Sequence, residues 1–253
     1  GRGVPGMLGG KHVKLAILPL TAARIDDLGE VLRSTWGSGC WCIYPRLTPA
    51  GERALPGPGG AAERRKRAMT ALARRRRAPG LIAYCDGAPV GWVAVAPRRE
   101  LMRITASKAT PPVDDLDVWV ISCITVKRKA RGQGIAIALI RAAAAYAARH
   151  GAPAVEAYPR AGKARVHDDF AYFGTEALFR RAGFGVVRGP LKGLPRNWIR
   201  RVTVRGGGAV AGCAAAVLCL APAAVRTGPG WDRRGARYAA VTGADLQRLA
   251  ALL

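Results

Sequence analysis

The chain has 253 residues, half of them hydrophobic, with 41 Lys+Arg against 16 Asp+Glu and a formal net charge of +25. That composition sets it among globular proteins, long enough for one sizeable core or one domain plus an appendage. Its six cysteines form no regular framework, which argues against a disulfide scaffold and fits a reduced, cytoplasmic setting. Zinc would want two spaced cysteine pairs or added histidines, and His12, His150 and His167 lie far apart, so no metal is expected. The charge attracts polyanions: a nucleotide cofactor, nucleic acid or an anionic surface. Basic residues are nevertheless scattered along the chain, as a general arginine and alanine bias would leave them.

Gly1 to Gly6 lacks the apolar core of a signal peptide, and residues 1–11 are expected to be a flexible segment. His12 to Leu20 reads as a first strand. Thr21 caps a helix through Ser34, with Ile25, Leu28, Val31 and Leu32 on one face. Trp36 to Tyr44 holds two glycines and a Cys40-Trp41-Cys42 run, which reads as a buried aromatic loop or as a wall of a concave site. Pro45 to Gly60 reads as a loop, and Ala61 to Arg77 as a strongly basic helix. Its charges read as a solvated face, since no aromatic residues are interleaved to stack bases.

Leu81 to Cys85 and Val90 to Val95 flank Asp86-Gly87-Ala88-Pro89, a hairpin signal. Glu100 to Ala106 fits a short helix. Val118 to Val126 is almost wholly apolar and rich in β-branched residues, as a strand covered on both faces would be. Arg131-Gly132-Gln133-Gly134-Ile135-Ala136 follows, and a long alanine-rich helix begins near Gly134. Glycines at a helix N-terminus permit close approach to the backbone, whose free N–H groups attract phosphate.

Beyond that helix, Ala154 to Tyr158 is a fifth strand, Arg160 to Asp169 a polar loop, and Thr175 caps a short helix through Ala182. Phe184 to Val187 and Trp198 to Val204 are two final, paired strands. Gly206-Gly207-Gly208 is a flexible joint. Residues 206–253 are expected to form a loosely ordered tail; Ala209 to Val225 falls short of a ~20-residue membrane span.

The order Arg131-x-x-Gly134-x-Ala136 directly after an apolar strand resembles the acetyl-CoA-binding motif of the GNAT N-acetyltransferase family, (Arg or Gln)-x-x-Gly-x-(Gly or Ala). Ala182-Gly183-Phe184 is similar to that family's helix-to-strand signature. The C-W-C loop with Val155 to Pro159 resembles one poorly characterised bacterial branch. The resemblance covers roughly Val13 to Val204, within a domain expected at 12–205. It implies an α/β fold of α+β type: a mixed, mostly antiparallel sheet with helices on both faces, split between the fourth and fifth strands.

It also implies transfer of an acetyl group from acetyl-CoA, as co-substrate, to an amine of a small molecule or protein by direct attack. Backbone N–H groups of Gly132, Gln133, Gly134, Ile135 and Ala136, with Arg131 adding charge, would hold the pyrophosphate. The edge Ile124, Thr125, Val126 would pair with the pantetheine arm, and an N–H there would polarise the thioester carbonyl. A base must take the amine's proton; Glu156, an acid on a central strand, is the candidate, with a strand-edge salt bridge as the competing reading. The family's proton-donating tyrosine falls on Phe179, which has no proton to give, so Tyr172 is the substitute candidate, or else an ordinary half-buried aromatic. Cys123 as an acyl-carrying nucleophile would need a paired histidine, and core packing explains it better.

Three functions follow as expectations. The first is an acyl-CoA-dependent N-acyltransferase, monomeric or homodimeric, with neither nucleic acid nor membrane as partner. The second is a basic nucleic-acid-binding module, prompted by the charge. The third is a catalytically silent CoA-binding protein of the same fold, prompted by Phe179.

Overall fold

β1 (Val13–Pro19), β2 (Gly80–Cys85), β3 (Ala88–Pro97) and β4 (Trp119–Val126) pair antiparallel in sequence order in space, each apolar along most of its length. The computed structural model describes residues 13–33, 35, 37–161, 172–190 and 202–206, and the backbone of 218–220. Asp86 and Gly87, both at positive φ (46° and 82°), turn the chain from β2 into β3, as the sequence predicts for a tight hairpin. β5 (Val155–Ala157) then joins β4 in parallel, and β7 (Thr203–Gly206) bridges β5 to β6 (Gly185–Arg188) antiparallel. β8 (Leu218–Leu220) pairs with β1, giving the order β6-β7-β5-β4-β3-β2-β1-β8. The sheet is thus mixed and mostly antiparallel, as expected.

Helices cover both faces. α6 (Ile135–Arg149) lays Ile137, Leu139, Ile140, Ala143 and Ala147 on one face, against Val93, Val95 and Ile121 of the sheet. α1 (Ile25–Leu32) and α4 (Ala61–Ala73) cover the other, with Leu28, Val31, Leu32 and Met69 packed near Ile82, Trp92 and Ala94. Burying an aliphatic side chain of this size contributes ~1.5–3 kcal/mol. Tyr146 fixes the end of α6 to the start of β2, its hydroxyl accepting the Ala78 N–H at 2.7 Å.

Local boundaries shift from the sequence expectation for identifiable reasons. The expected helix from Thr21 opens as a 3-10 turn at Ala22–Arg24. The expected loop of residues 45–60 contains α3 (Pro49–Arg53), capped by the Thr48 side chain, which accepts the Gly51 N–H at 3.0 Å. α4 stops at Ala73, short of the expected Arg77, before the chain turns into β2. Its charge run is not a freely solvated face: Arg65 binds Glu52 and the Gly39 carbonyl, and Lys66 binds Asp26. Two further short helices, α2 (Gly37–Cys40) and α5 (Met102–Thr105), and α7 (Glu176–Arg181), capped by Thr175, complete the elements. The expected N-terminal segment, most of the polar loop after Arg160, residues 198–201 of the expected last strand and most of the tail lie outside the described residues.

The split between β4 and β5 has a local cause. The β3–β4 register slips between Ala94 and Val95, so Ser122 has no Cα partner in β3. Such a bulge bends a strand and raises its twist. β5 pairs only with Trp119–Ile121 and ends at Ala157, so the second half of β4 runs on past it with that edge free of a partner strand.

Candidate active site

The end of β4 that extends past β5 leads into the turn before α6. Lys127 sends its N–H back to Val90 at 2.9 Å, a 3-10 turn occupies Arg128–Ala130, and Arg131 is extended. Gly132 and Gly134 both sit in the left-handed region, at φ 80° and 79°, where an L side chain costs ~1–2 kcal/mol. A Cβ built on Gly132 would meet nothing within 4 Å, so the outer side of the turn is open. Gly134 is the N-cap of α6, and its carbonyl takes the first intrahelical bond, from the Ala138 N–H at 3.1 Å. The N–H groups of the first turn, Ile135, Ala136 and Ile137, precede any helical acceptor. The first turn carries no acidic residue, and Arg128, Lys129 and Arg131 flank it in exposed positions. Free N–H groups, a positive helix end and adjacent cations are the donor set that a pyrophosphate requires. Gln133 is exposed on the same turn.

The open edge of β4 comes next. The Ile124 N–H points away from β3 and donates to the Tyr172 carbonyl at 2.8 Å. Strand N–H groups alternate in direction, so the Val126 N–H lies on the same edge, with Thr125 turned to β3. The Val126 carbonyl accepts Arg131 Nε at 3.1 Å, which folds the arginine along that edge. Ile124, Thr125 and Val126 therefore run from the bulge to the glycine turn as one continuous ledge. The segment that touches this ledge is residue 172 itself, a contact that sequence reasoning did not foresee.

Tyr172 is half-buried, packed against the α1–α4 side of the core, with its ring centroid 4.4 Å from that of Phe173. Phe179 is elsewhere: fully buried on the α6 side, edge-on to Phe184 at 5.3 Å. The structure thus brings the Tyr172 backbone carbonyl to the strand edge, while its ring packs on the α1–α4 side.

Glu156 lies on β5 with 1 % exposure, and both its oxygens are engaged. Oε1 accepts from Arg205 Nη2 at 2.6 Å and Nε at 3.1 Å; Oε2 accepts the Tyr158 hydroxyl at 3.1 Å. Arg205 also clasps Asp114 with two bonds, at 2.6 and 3.0 Å. Arg98, itself buried, donates to the Tyr158 hydroxyl. Burial first, then the Glu156 charge, pushes the Tyr158 hydroxyl above the usual phenol range, so it stays a donor. The Asp114 hydrogen bond, followed by that of Glu156, holds Arg205 firmly charged. This geometry matches the salt-bridge reading of Glu156: an ion pair that ties β5 to β7.

The Cys40-Trp41-Cys42 loop is buried packing. Trp41 and Cys42 take left-handed backbone angles (φ 50° and 51°), and the Cys42 sulfur accepts the Trp92 indole N–H at 3.3 Å. Trp41 closes on Gly29, where an added Cβ would meet its ring at 3.0 Å. The Cys123 hydrogen bond and burial push the Cys42 thiol well up, and burial pushes Cys40 up to about 11. His150, the one described histidine, binds the Tyr146 carbonyl at the far end of α6 and stacks on that ring, so it does not pair with Cys123. Among the described residues no group of histidine, cysteine and acid side chains is arranged to hold a metal.

Residues 49–174 match the model of the Acetyltransferase (GNAT) family, a span that includes β4, the glycine turn, Glu156 and Tyr172. Among solved structures the chain is similar to a GCN5-related N-acetyltransferase from Kribbella flavida, at 16% identity and TM-score 0.42, covering 69% of this chain and 33% of that one. It is similar to an uncharacterised protein of Bacillus halodurans, at 13% identity and TM-score 0.47, over 77% of this chain and 84% of that one. It is also similar to the PaiA N-acetyltransferase from Thermoplasma acidophilum in complex with coenzyme A, at 13% identity and TM-score 0.44, over 76% and 98%. No protein of curated function matches the chain in sequence.

Proposed function

We propose, from the match of residues 49–174 to the Acetyltransferase (GNAT) family model, that the chain moves an acetyl group from acetyl-CoA to an amine, with chemistry at the edge of β4. The observation that carries this reading is the junction of β4 and α6. There a strand edge, a left-handed glycine turn and a helix N-terminus line up in the order that pantetheine and pyrophosphate require.

In this proposal the N–H groups around Gly132 to Ala136 hold the pyrophosphate, and Arg131 supplies charge. The Val126 and Ile124 N–H groups pair with the pantetheine arm and the thioester. The Tyr172 carbonyl now on Ile124 is displaced when the thioester takes its place; one N–H cannot serve both acceptors fully. That N–H then stabilises negative charge on the carbonyl oxygen as the amine nitrogen bonds to carbon. The carbon–sulfur bond breaks, the departing thiolate takes a proton, and the nitrogen, cationic once it has bonded to carbon, loses one to solvent.

Tyr172 is our candidate donor of that proton: its backbone carbonyl meets the Ile124 N–H, so the residue adjoins the β4 edge, and its hydroxyl must reach the sulfur once the thioester has taken that N–H. Glu156, with both oxygens engaged, acts as a positioning residue for β5, and the acceptor amine arrives neutral after losing its proton to solvent. The acceptor class follows from an experiment: incubate the full chain with acetyl-CoA and a panel of small amines and peptide amines, and read free thiol. Release that depends on one acceptor supports the reading.

A second reading has its own observation. Phe179 is fully buried and brings no hydroxyl to the β4 edge, so a CoA-binding protein without turnover fits as well. Acetyl-CoA binding with no thiol release across the panel would favour it.

A further inference from the structure

At the opposite end of the sheet, where β2 begins, β3 ends and β4 begins, lies a cavity of about 440 Å³. Trp119, Val95 and Ala96 line it from the sheet, and Arg46, Arg75, Arg76 and Arg77 face it with one acid, Glu100. Four guanidiniums and one carboxylate leave the lining at +3.

The central group is Arg46. Its side chain is only 8% exposed, yet its contacts are long: Nη1 is 3.3 Å from Glu100 Oε2, and Nη2 is 3.4 Å from the Pro79 carbonyl. Arg77 reaches the other oxygen of the same carboxylate at 3.2 Å. Charge-assisted bonds of this type normally close to ~2.7–2.9 Å. Glu100 is therefore stretched between two cations instead of clamping one. Burial pulls the Arg46 guanidinium below its ordinary range, Glu100 resists that pull, and Arg75 adds to it. Arg46, the buried cation, shares its one carboxylate with Arg77, while Arg75 and Arg76 are exposed along a lining whose one acid is Glu100.

We propose that this cavity binds a small polyphosphate anion of the pyrophosphate class, at a site separate from the glycine turn. The planar guanidinium fork matches phosphate oxygens. A cavity of about 440 Å³ has room for a small anion together with bound water. Trp119 touches the cavity and Val126 adjoins the glycine turn, so β4 separates the two sites by roughly 23 Å at ~3.3 Å per residue. The inference does not depend on the acetyl-transfer reading.

The test is calorimetric titration of sodium pyrophosphate into the full chain at physiological salt. Arg75→Gln/Arg76→Gln removes two exposed lining charges. Arg33→Gln/Arg53→Gln removes two exposed charges elsewhere. Gly134→Glu disables the glycine turn. Melting curves confirm that each variant is folded. Because the glycine turn can itself take pyrophosphate, both arginine pairs are made in the Gly134→Glu chain: the expected result is one pyrophosphate bound per Gly134→Glu chain, weakened at least tenfold by the first pair and changed by less than twofold by the second. No binding would overturn the proposal. So would equal weakening in both arginine pairs, which means bulk charge alone, or loss in Gly134→Glu, which means binding at the turn.

Discussion

Replacing Arg205 by Met removes the cation from a carboxylate that is 1% exposed and leaves Glu156 with the Tyr158 hydroxyl alone. Breaking a buried pair from one side costs ~3–5 kcal/mol. For a domain of this size 1 kcal/mol moves the melting temperature by ~2–4 °C, so the expected drop is about 6–20 °C. Glu156→Gln should cost less, about 1–3 kcal/mol, because the amide still accepts from Tyr158 and Arg205 keeps both bonds to Asp114. The double variant Arg205→Met/Glu156→Leu buries no unpaired charge and should return to within about 2 kcal/mol of wild type. Denaturant unfolding gives the three free energies, and turnover at saturating acetyl-CoA is read in parallel. Two results would refute the reasoning. One is a cost below about 1 kcal/mol for Arg205→Met, the value of a surface pair. The other is a Glu156→Gln variant that melts like wild type but loses ~10²–10⁴-fold in turnover, which would make Glu156 a base.

Gly132→Ala and Gly183→Ala impose a similar left-handed strain, with open space around either Cβ; both should melt a few degrees low, but only Gly132→Ala should weaken acetyl-CoA, by ~10-fold or more in calorimetry. Tyr172→Phe should cut turnover by ~10²–10⁴-fold under chemistry-limited conditions with acetyl-CoA affinity nearly intact; an unchanged rate removes Tyr172 from the mechanism. The Arg205 hydrogen bonds hold the Asp114 carboxyl below its ordinary range. A depressed carboxyl contributes stability that is present above the unfolded value, near pH ~4, and lost as pH falls through the folded value. Asp114→Asn should therefore flatten the acid limb of the melting-temperature profile and leave its slope above pH ~6 unchanged.

The strand, turn and helix that carry the proposed site were legible because their determinants are local. A β-branched run, two glycines and an alanine-rich helix follow one another within residues 118–150. Hairpin and cap residues, Asp86-Gly87 and Thr175, were legible for the same reason. What escaped is held by contacts distant in sequence. Glu156 finds Arg205 49 positions on, and Arg205 finds Asp114 91 positions back, so no window shows the network. The hold of Tyr172 on Ile124 is a backbone bond and leaves no side-chain signature. The left-handed Trp41 and Cys42 follow no propensity; Trp92 and Gly29 shape that loop from outside it. The end of α4 was overestimated because arginine favours helix, whereas the chain there has to turn into β2.

The central claim is that the turn from β4 into α6 holds acetyl-CoA. Titrating acetyl-CoA into the full chain and into Gly134→Glu tests it most directly. That substitution places a carboxylate at the N-cap of α6, at a residue with φ 79°, where its charge opposes the phosphates and its strain costs only ~1–2 kcal/mol. The account predicts one molecule bound per wild-type chain, and no measurable binding to a variant that still melts cooperatively. Wild-type affinity in the folded variant would contradict it.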